Sequence, residues 1–209
     1  MNLCEVVVRR VRRLEEHRFQ ELMDEHHYLG CVPKISETLW YVAVWRDQWV
    51  ALVGFSAAAW KCAARDVWIG WSLRHQYDRL KLVVNNNRFL ILPECHLPNL
   101  GSRILSLCQK RLSNDWQGTF GHPVVLLETF VDPRKFRGTL YKAANWVYVG
   151  DTKGFRRTGK GYTVQPQSPK MVFVKPLHPN ARGVLSRPIL KPPYCTGGAK
   201  MMLPAEHMR

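Results

Sequence analysis

Arg88-Phe89-Leu90-Ile91-Leu92-Pro93, followed after five residues by Asn99-Leu100-Gly101-Ser102-Arg103-Ile104-Leu105, decides how this chain folds. The first stretch is an apolar run of strand length, stopped by a proline that has no N–H to give a ladder. In the second, Leu100, Ile104, Leu105, Cys108 and Leu112 fall on one helical face, and Asn99 stands where an N-cap belongs. A buried strand running into an amphipathic helix is half of an α/β unit, and the pattern continues. Val124 to Phe130 reads as the next strand, Phe136 to Ala144 as a short helix, and Trp146 to Val149 as a further strand. Upstream, Val6 to Val8 is a short strand. Leu14 to Tyr28 is a helix with Phe19, Leu22, Met23 and His26 at helical spacing, and Gly30 sits where it would stop. Leu39 to Arg46 and Trp49 to Ser56 form a hairpin through Asp47-Gln48. Ala57 to Cys62 reads as one helical turn, Val67 to Trp71 as a strand, and Asn85-Asn86-Asn87 as a turn, because Asn tolerates left-handed backbone. The fold class is α/β, with a mixed, mainly antiparallel sheet flanked by helices.

The chain has 209 residues, 31 Lys and Arg, 16 Asp and Glu, and a formal net charge of +15. Such an excess makes a polyanion the expected partner. The charge is lopsided: from Lys153 onward the only acid is Glu206, while 11 of the bases and 8 of the 13 prolines lie there. We therefore divide the chain into an α/β domain over 1–152 and a basic extension over 153–209. That composition buries little surface, so loops, one strand at Lys170 to Lys175 and a mobile end are expected. The six cysteines are widely spaced with no C-x-x-C pair, which reads as free thiols in a reducing cytosol rather than a zinc site. There is no apolar run long enough to span a bilayer and no apolar leader, so the expectation is a cytoplasmic protein without a membrane partner.

The residues that carry chemistry fall into a few groups. Lys153-Gly154-Phe155-Arg156-Arg157-Thr158-Gly159-Lys160-Gly161-Tyr162 combines bases, glycines and aromatics. Glycine lets backbone approach phosphates, the bases neutralise them and the rings stack on bases. Lys153, Arg156, Arg157 and Lys160 are therefore candidates for holding a DNA backbone; the plain alternative is a solvated loop. Arg65 and Asp66 beside Trp68 and Trp71 read either as a buried ion pair bracing a Trp-rich core, or as a phosphate clamp and a metal ligand. Asp66, Asp115, Glu128 and Asp132 are the carboxylates that metal-dependent strand cleavage would need, with Mg²⁺ as the ion; Asp115 reads equally well as a helix cap or ion-pair partner. No His/Cys ligand spacing for zinc is visible. Tyr141 has three readings: a core tyrosine, a general acid, or a nucleophile forming a phosphotyrosine with Arg137 as its clamp.

Two resemblances add to this. The element order, a meander followed by strand–helix–strand–helix–strand, is similar to the GNAT acetyltransferases. In that family the turn after the fourth strand holds the coenzyme A pyrophosphate at a helix N-terminus, and a Tyr on the later helix is the general acid. Here the turn has the Pro after the strand but one glycine, Gly101, and Asn99 in place of Arg or Gln. Asn145-Trp146 replaces the Gly-Phe that follows the tyrosine matched by Tyr141. These departures speak against coenzyme A.

The second resemblance is in sequence. The strings 26–30 (HHYLG), 64–71 (ARDVWIGW), 86–93 (NNRFLILP), 114–116 (NDW), 127–132 (LETFVD) and 138–146 (GTLYKAANW) resemble the DruA family of the Druantia anti-phage defence system, whose related copies occur in mobile elements. The resemblance implies a DNA-binding protein acting in defence or in mobile-element DNA processing, alone or with a larger defence or transposition protein. Arg65, Arg88, Asn99, Arg137 and Asn145 join the residues expected to face nucleic acid, the two asparagines reading first as turn and cap residues and second as phosphate or base donors. An acyl-CoA-dependent N-acetyltransferase and a non-catalytic adaptor are the alternatives.

Overall fold

The computed structural model describes residues 2–154, 157–158, 161–162 and 168–195. Its elements in chain order are β1 (Val7–Arg10), α1 (Glu16–His26), β2 (Thr38–Trp45), β3 (Gln48–Ala57), α2 (Ala63–Ile69), α3 (Leu73–Arg79), β4 (Val83–Ile91), α4 (Leu100–Phe120), β5 (Leu126–Val131), α5 (Thr139–Ala143), β6 (Val147–Asp151), the short β7 (Arg157–Thr158) and β8 (Gly161–Tyr162), β9 (Met171–Pro176) and α6 (Ala181–Ser186). Among the described residues, seven strands form one sheet in the order β1-β2-β3-β4-β5-β9-β6, and β7 pairs with β8 apart from it.

Helices cover both faces. On one, the stripe Leu100, Ile104, Leu105, Cys108, Leu112 and Trp116 of α4 packs with Tyr141 of α5 against Val53, Phe55, Val84, Leu127 and Phe173. On the other, Phe19 and Met23 of α1 pack against Trp40, Val42 and Leu52, while Ile69 of α2 and Val184 and Leu185 of α6 pack against Val83, Leu126 and Val174. Neighbouring strand residues thus feed opposite cores, as the two-residue period of a strand requires.

β4 and β5 are parallel, and they pair only over Val83–Asn85 and Leu126–Glu128. Beyond Asn85, β4 continues along β3 while β5 pairs with β9, so the two strands part at their C-terminal ends. In open α/β sheets this is where sites form. β4 also bulges: Gly54 faces Arg88 and Phe55 faces Asn86, which leaves Asn87 as the extra residue.

The structure corrects several sequence expectations. Asn85-Asn86-Asn87 is not a turn but the interior of β4; the Asn86 side chain donates to the carbonyls of Gly54 and Arg88, and Asn87 donates to Ser56 Oγ. Ala57 to Cys62 is a strand end and a loop rather than a helical turn. Val67 to Trp71 is not a strand, because Ala63–Ile69 is helical and Gly70 ends it in the left-handed region at φ 77°. The helix expected over 136–144 starts only at Thr139, behind Gly138 at φ 69°. Asn99 does occupy the N-cap position of α4, but at φ 63° and without a side-chain cap bond. Finally, the stretch beyond 152 buries more than expected: β9 lies between β5 and β6, with Val172, Phe173 and Val174 fully buried.

Candidate functional site

The parting of β4 and β5 gathers some of the side chains on which the sequence reading depends. Asn86, Thr129 and Tyr141 meet on the α4/α5 face. The Tyr141 hydroxyl donates to Asn86 Oδ1 at 2.8 Å, and Thr129 Oγ1 donates to the Asn86 carbonyl at 2.9 Å and lies 3.3 Å from the Tyr141 oxygen. The ring of Tyr141 is enclosed by Trp146 and Phe173. Burial pushes its phenol up to about 12, against the Thr129 hydrogen bond, which lowers it. A phenol so held is a neutral donor at pH 7. Arg137 precedes Gly138 in the connection from β5 and lies outside α5.

On the opposite face, α2 sends Arg65 under the sheet. Its guanidinium is fully buried and donates to Glu128 Oε2 and the Ala59 carbonyl, both at 2.8 Å, and to Asp66 Oδ1 at 2.9 Å. The Ala59 N–H donates to the other Glu128 oxygen, and Trp71 Nε1 donates to Asp66. Burial holds the Glu128 carboxyl above its ordinary range, in opposition to the Arg65 charge. Gln76 donates to the Trp60 carbonyl, closing a network that ties the loop after β3 to α2, α3 and β5. Of the two readings of Arg65 and Asp66, the geometry is that of the bracing ion pair.

The other carboxylates are occupied too. Asp132 accepts from Arg134 at 2.7 Å and is held down to about 2 by that guanidinium. Asp115 accepts from Tyr41 and Arg111. Among the described residues no group of three or more His, Cys, Asp or Glu side chains is arranged to hold a metal ion. Each acid proposed for metal chemistry thus faces a guanidinium.

Arg88 likewise turns inward. Its Nε donates to the Gly30 carbonyl at 2.6 Å, Nη1 to that of Asn87 at 2.7 Å and Nη2 to that of Leu29 at 3.2 Å. Three carbonyls from two segments fix the turn after α1 onto β4. This turn carries His27 and Tyr28, whose rings are 4.9 Å apart. Burial and the nearby Arg88 charge lower His27 to about 4, so the imidazole is neutral.

Beside them the connection from β5 to α5 presents Arg134, Lys135, Phe136 and Arg137, all exposed. Phe136 is 50% exposed and Tyr28 42%; their ring centroids lie 5.4 Å apart, and Lys135 Nζ is 5.0 Å from the Tyr28 ring. Lys142 and Asn145 follow shortly in sequence and Lys153 comes after β6; all three are exposed, and Tyr148 on edge strand β6 is half-exposed. The side chain of Arg157 is not described, and Arg156, Lys160 and 196–209 lie outside the described residues. Tyr28, Lys135 and Phe136 were not singled out from sequence, although the base–base–aromatic–base run 134–137 has the composition of a nucleic-acid contact.

A groove of about 440 Å³ opens between α4 and α5, lined by Asn99, Ser102, Arg103, Gln109, Asn145 and Lys175. Asn99 and Asn145, both at positive φ, come together here from distant parts of the chain.

The family model for the Druantia protein DruA matches residues 2–164. The chain belongs to the DruA family. Of the strings that resemble the family, 26–30 is tied to 86–93 through Arg88, 138–146 to 86–93 and 127–132 through Tyr141, and 64–71 to 127–132 through Arg65, while 114–116 lies apart, where Asp115 meets Tyr41 and Arg111. Among solved structures, the chain is similar in fold to the ribosomal-protein-S18-alanine N-acetyltransferase from Escherichia coli (9% identity, TM-score 0.51, covering 82% of this chain and 94% of that one). It is similar also to the aminoglycoside acetyltransferase AAC(6')-Ib solved with coenzyme A (15%, 0.52, 82% and 94%). A GNAT-family acetyltransferase from Streptococcus pneumoniae is a third (13%, 0.51, 82% and 99%). The likeness establishes a GNAT-like fold. No curated protein matches. No described helix is long and apolar enough to cross a membrane.

Proposed function

We propose that this DruA-family protein binds DNA in anti-phage defence, through the basic and aromatic surface that begins at Tyr28 and the 134–137 connection. The observation that carries this reading is the contrast between acids and bases around the site. Asp132 is paired with Arg134, Glu128 and Asp66 share the guanidinium of Arg65, and Asp115, further off on α4, is paired with Arg111. Lys135, Arg137, Lys142 and Lys153 are exposed and have no acid in ion-pair contact among the described residues. A surface of uncompensated cations attracts phosphate and releases counterions when it binds. The test is the affinity for DNA as a function of salt. If about six phosphates are neutralised, log K falls with log salt at a slope of about −5; a flat response removes the proposal.

Acyl transfer is the second reading, favoured by the fold and the α4/α5 groove. The turn ahead of α4 fits the coenzyme A pyrophosphate poorly. The Leu100 N–H is already given to the Leu97 carbonyl, and Leu140 lies directly against Gly101, where a Cβ would stand 2.5 Å from its methyl. Coenzyme A raising the melting temperature would restore this reading, because a ligand that binds only the folded state stabilises it.

A further inference from the structure

The Tyr28–Phe136 pair goes further than charge. A basic surface alone suffices for duplex DNA, whose phosphates face outward. Its bases expose only their edges in the grooves, since their π-faces are stacked on one another. An exposed, prepositioned aromatic pair is of use where base faces are free, which is in an unpaired strand. Phe136 and Tyr28 come from segments far apart in sequence, yet each is held. Tyr28 lies on the turn that Arg88 pins through the Leu29 and Gly30 carbonyls. Phe136 sits between the Asp132–Arg134 ion pair and Gly138; its N–H donates to the Asp132 carbonyl at 2.9 Å. His27 and Lys135 crowd the Tyr28 ring, so Phe136, half-exposed, presents the more open face. Lys135 and Arg137 flank it, exposed and outside any ion pair among the described residues, on the side where the phosphates of a stacked base would run, while Arg134 is held by Asp132.

We infer that this surface takes unpaired DNA, with a base stacked on Phe136 beside Tyr28 and the flanking phosphates on Lys135 and Arg137. This inference rests on the DNA-binding reading and names the form of DNA that the surface selects.

The experiment compares a labelled oligothymidylate strand with a mixed-sequence duplex of equal length, by fluorescence anisotropy at several salt concentrations. The proteins are the full chain and its Phe136→Leu and Phe136→Trp variants. Leu keeps the apolar bulk and removes the π-face; Trp keeps the π-face. The wild type is expected to prefer the single strand. Phe136→Leu should weaken single-strand binding about 10-fold, and Phe136→Trp should keep it, with circular dichroism confirming that both variants fold. Salt-dependent binding without preference for the single strand overturns this inference and leaves the DNA reading standing, as does an undiminished preference in Phe136→Leu. Absence of binding to either DNA overturns both.

Discussion

The Tyr141 hydroxyl donates a hydrogen bond of 2.8 Å to Oδ1 of Asn86, a residue on the strand that parts from β5 beside it. With Thr129 it forms a closed polar triad inside an otherwise apolar core, and that geometry joins α5 to both strands. Removing one member leaves another unsatisfied, which costs more than the bond itself contributes.

Tyr141→Phe is therefore expected to destabilise the fold by about 1–2 kcal/mol, or a few degrees in melting temperature for a chain of this size. DNA affinity should be unchanged. Differential scanning calorimetry beside anisotropy checks this; a variant that keeps its stability but loses a covalent DNA product would instead establish the tyrosine as a nucleophile.

Arg65→Met strands the Glu128 carboxylate, which has no solvent contact and keeps only the Ala59 N–H. The expected loss is about 3–5 kcal/mol by urea denaturation. Adding Glu128→Leu should recover part of it, since two buried charges then leave together.

Gly138→Ala tests the start of α5. The residue is at φ 69°, and a Cβ would lie 2.6 Å from the Phe173 ring. Left-handed backbone costs about 1–2 kcal/mol outside glycine, and the clash adds to it. The variant should lose about 3 kcal/mol of stability and, with α5 displaced, part of its DNA affinity.

The Arg9–Glu15 pair gives a pH signature. Arg9 holds the Glu15 carboxyl at about 2, below its ordinary 4.5. The depressed folded value means that the stabilisation is complete above about 4.5 and is lost as pH falls toward 2. The pair is partly exposed, so the increment is under about 1 kcal/mol. Acid titration followed by circular dichroism should show a shallower decline in Glu15→Gln over that window.

Lys135→Ala combined with Arg137→Ala should make the salt slope of DNA binding shallower by about two, without moving the melting temperature. An unchanged slope would place the DNA on another surface.

The sequence alone established the elements that carry one strong signal. The α4 stripe from Leu100 to Leu112, the hairpin of β2 and β3, and the charge surplus are local: each is written in spacing or composition, and burial follows from it. The three asparagines of β4 and the Val67–Trp71 run misled because the deciding partners are remote. Asn86 is satisfied by the Gly54 carbonyl and Tyr141, and Ile69 by the core under α6. Which arginine each acid meets, and which rings stand together, was likewise set only in three dimensions. Arg65 meets Glu128, and Tyr28 meets Phe136, across separations that no periodicity encodes. Local pattern fixes how a segment buries its own apolar face; the pairing of charges and rings depends on where the chain returns, which is a property of the sheet order.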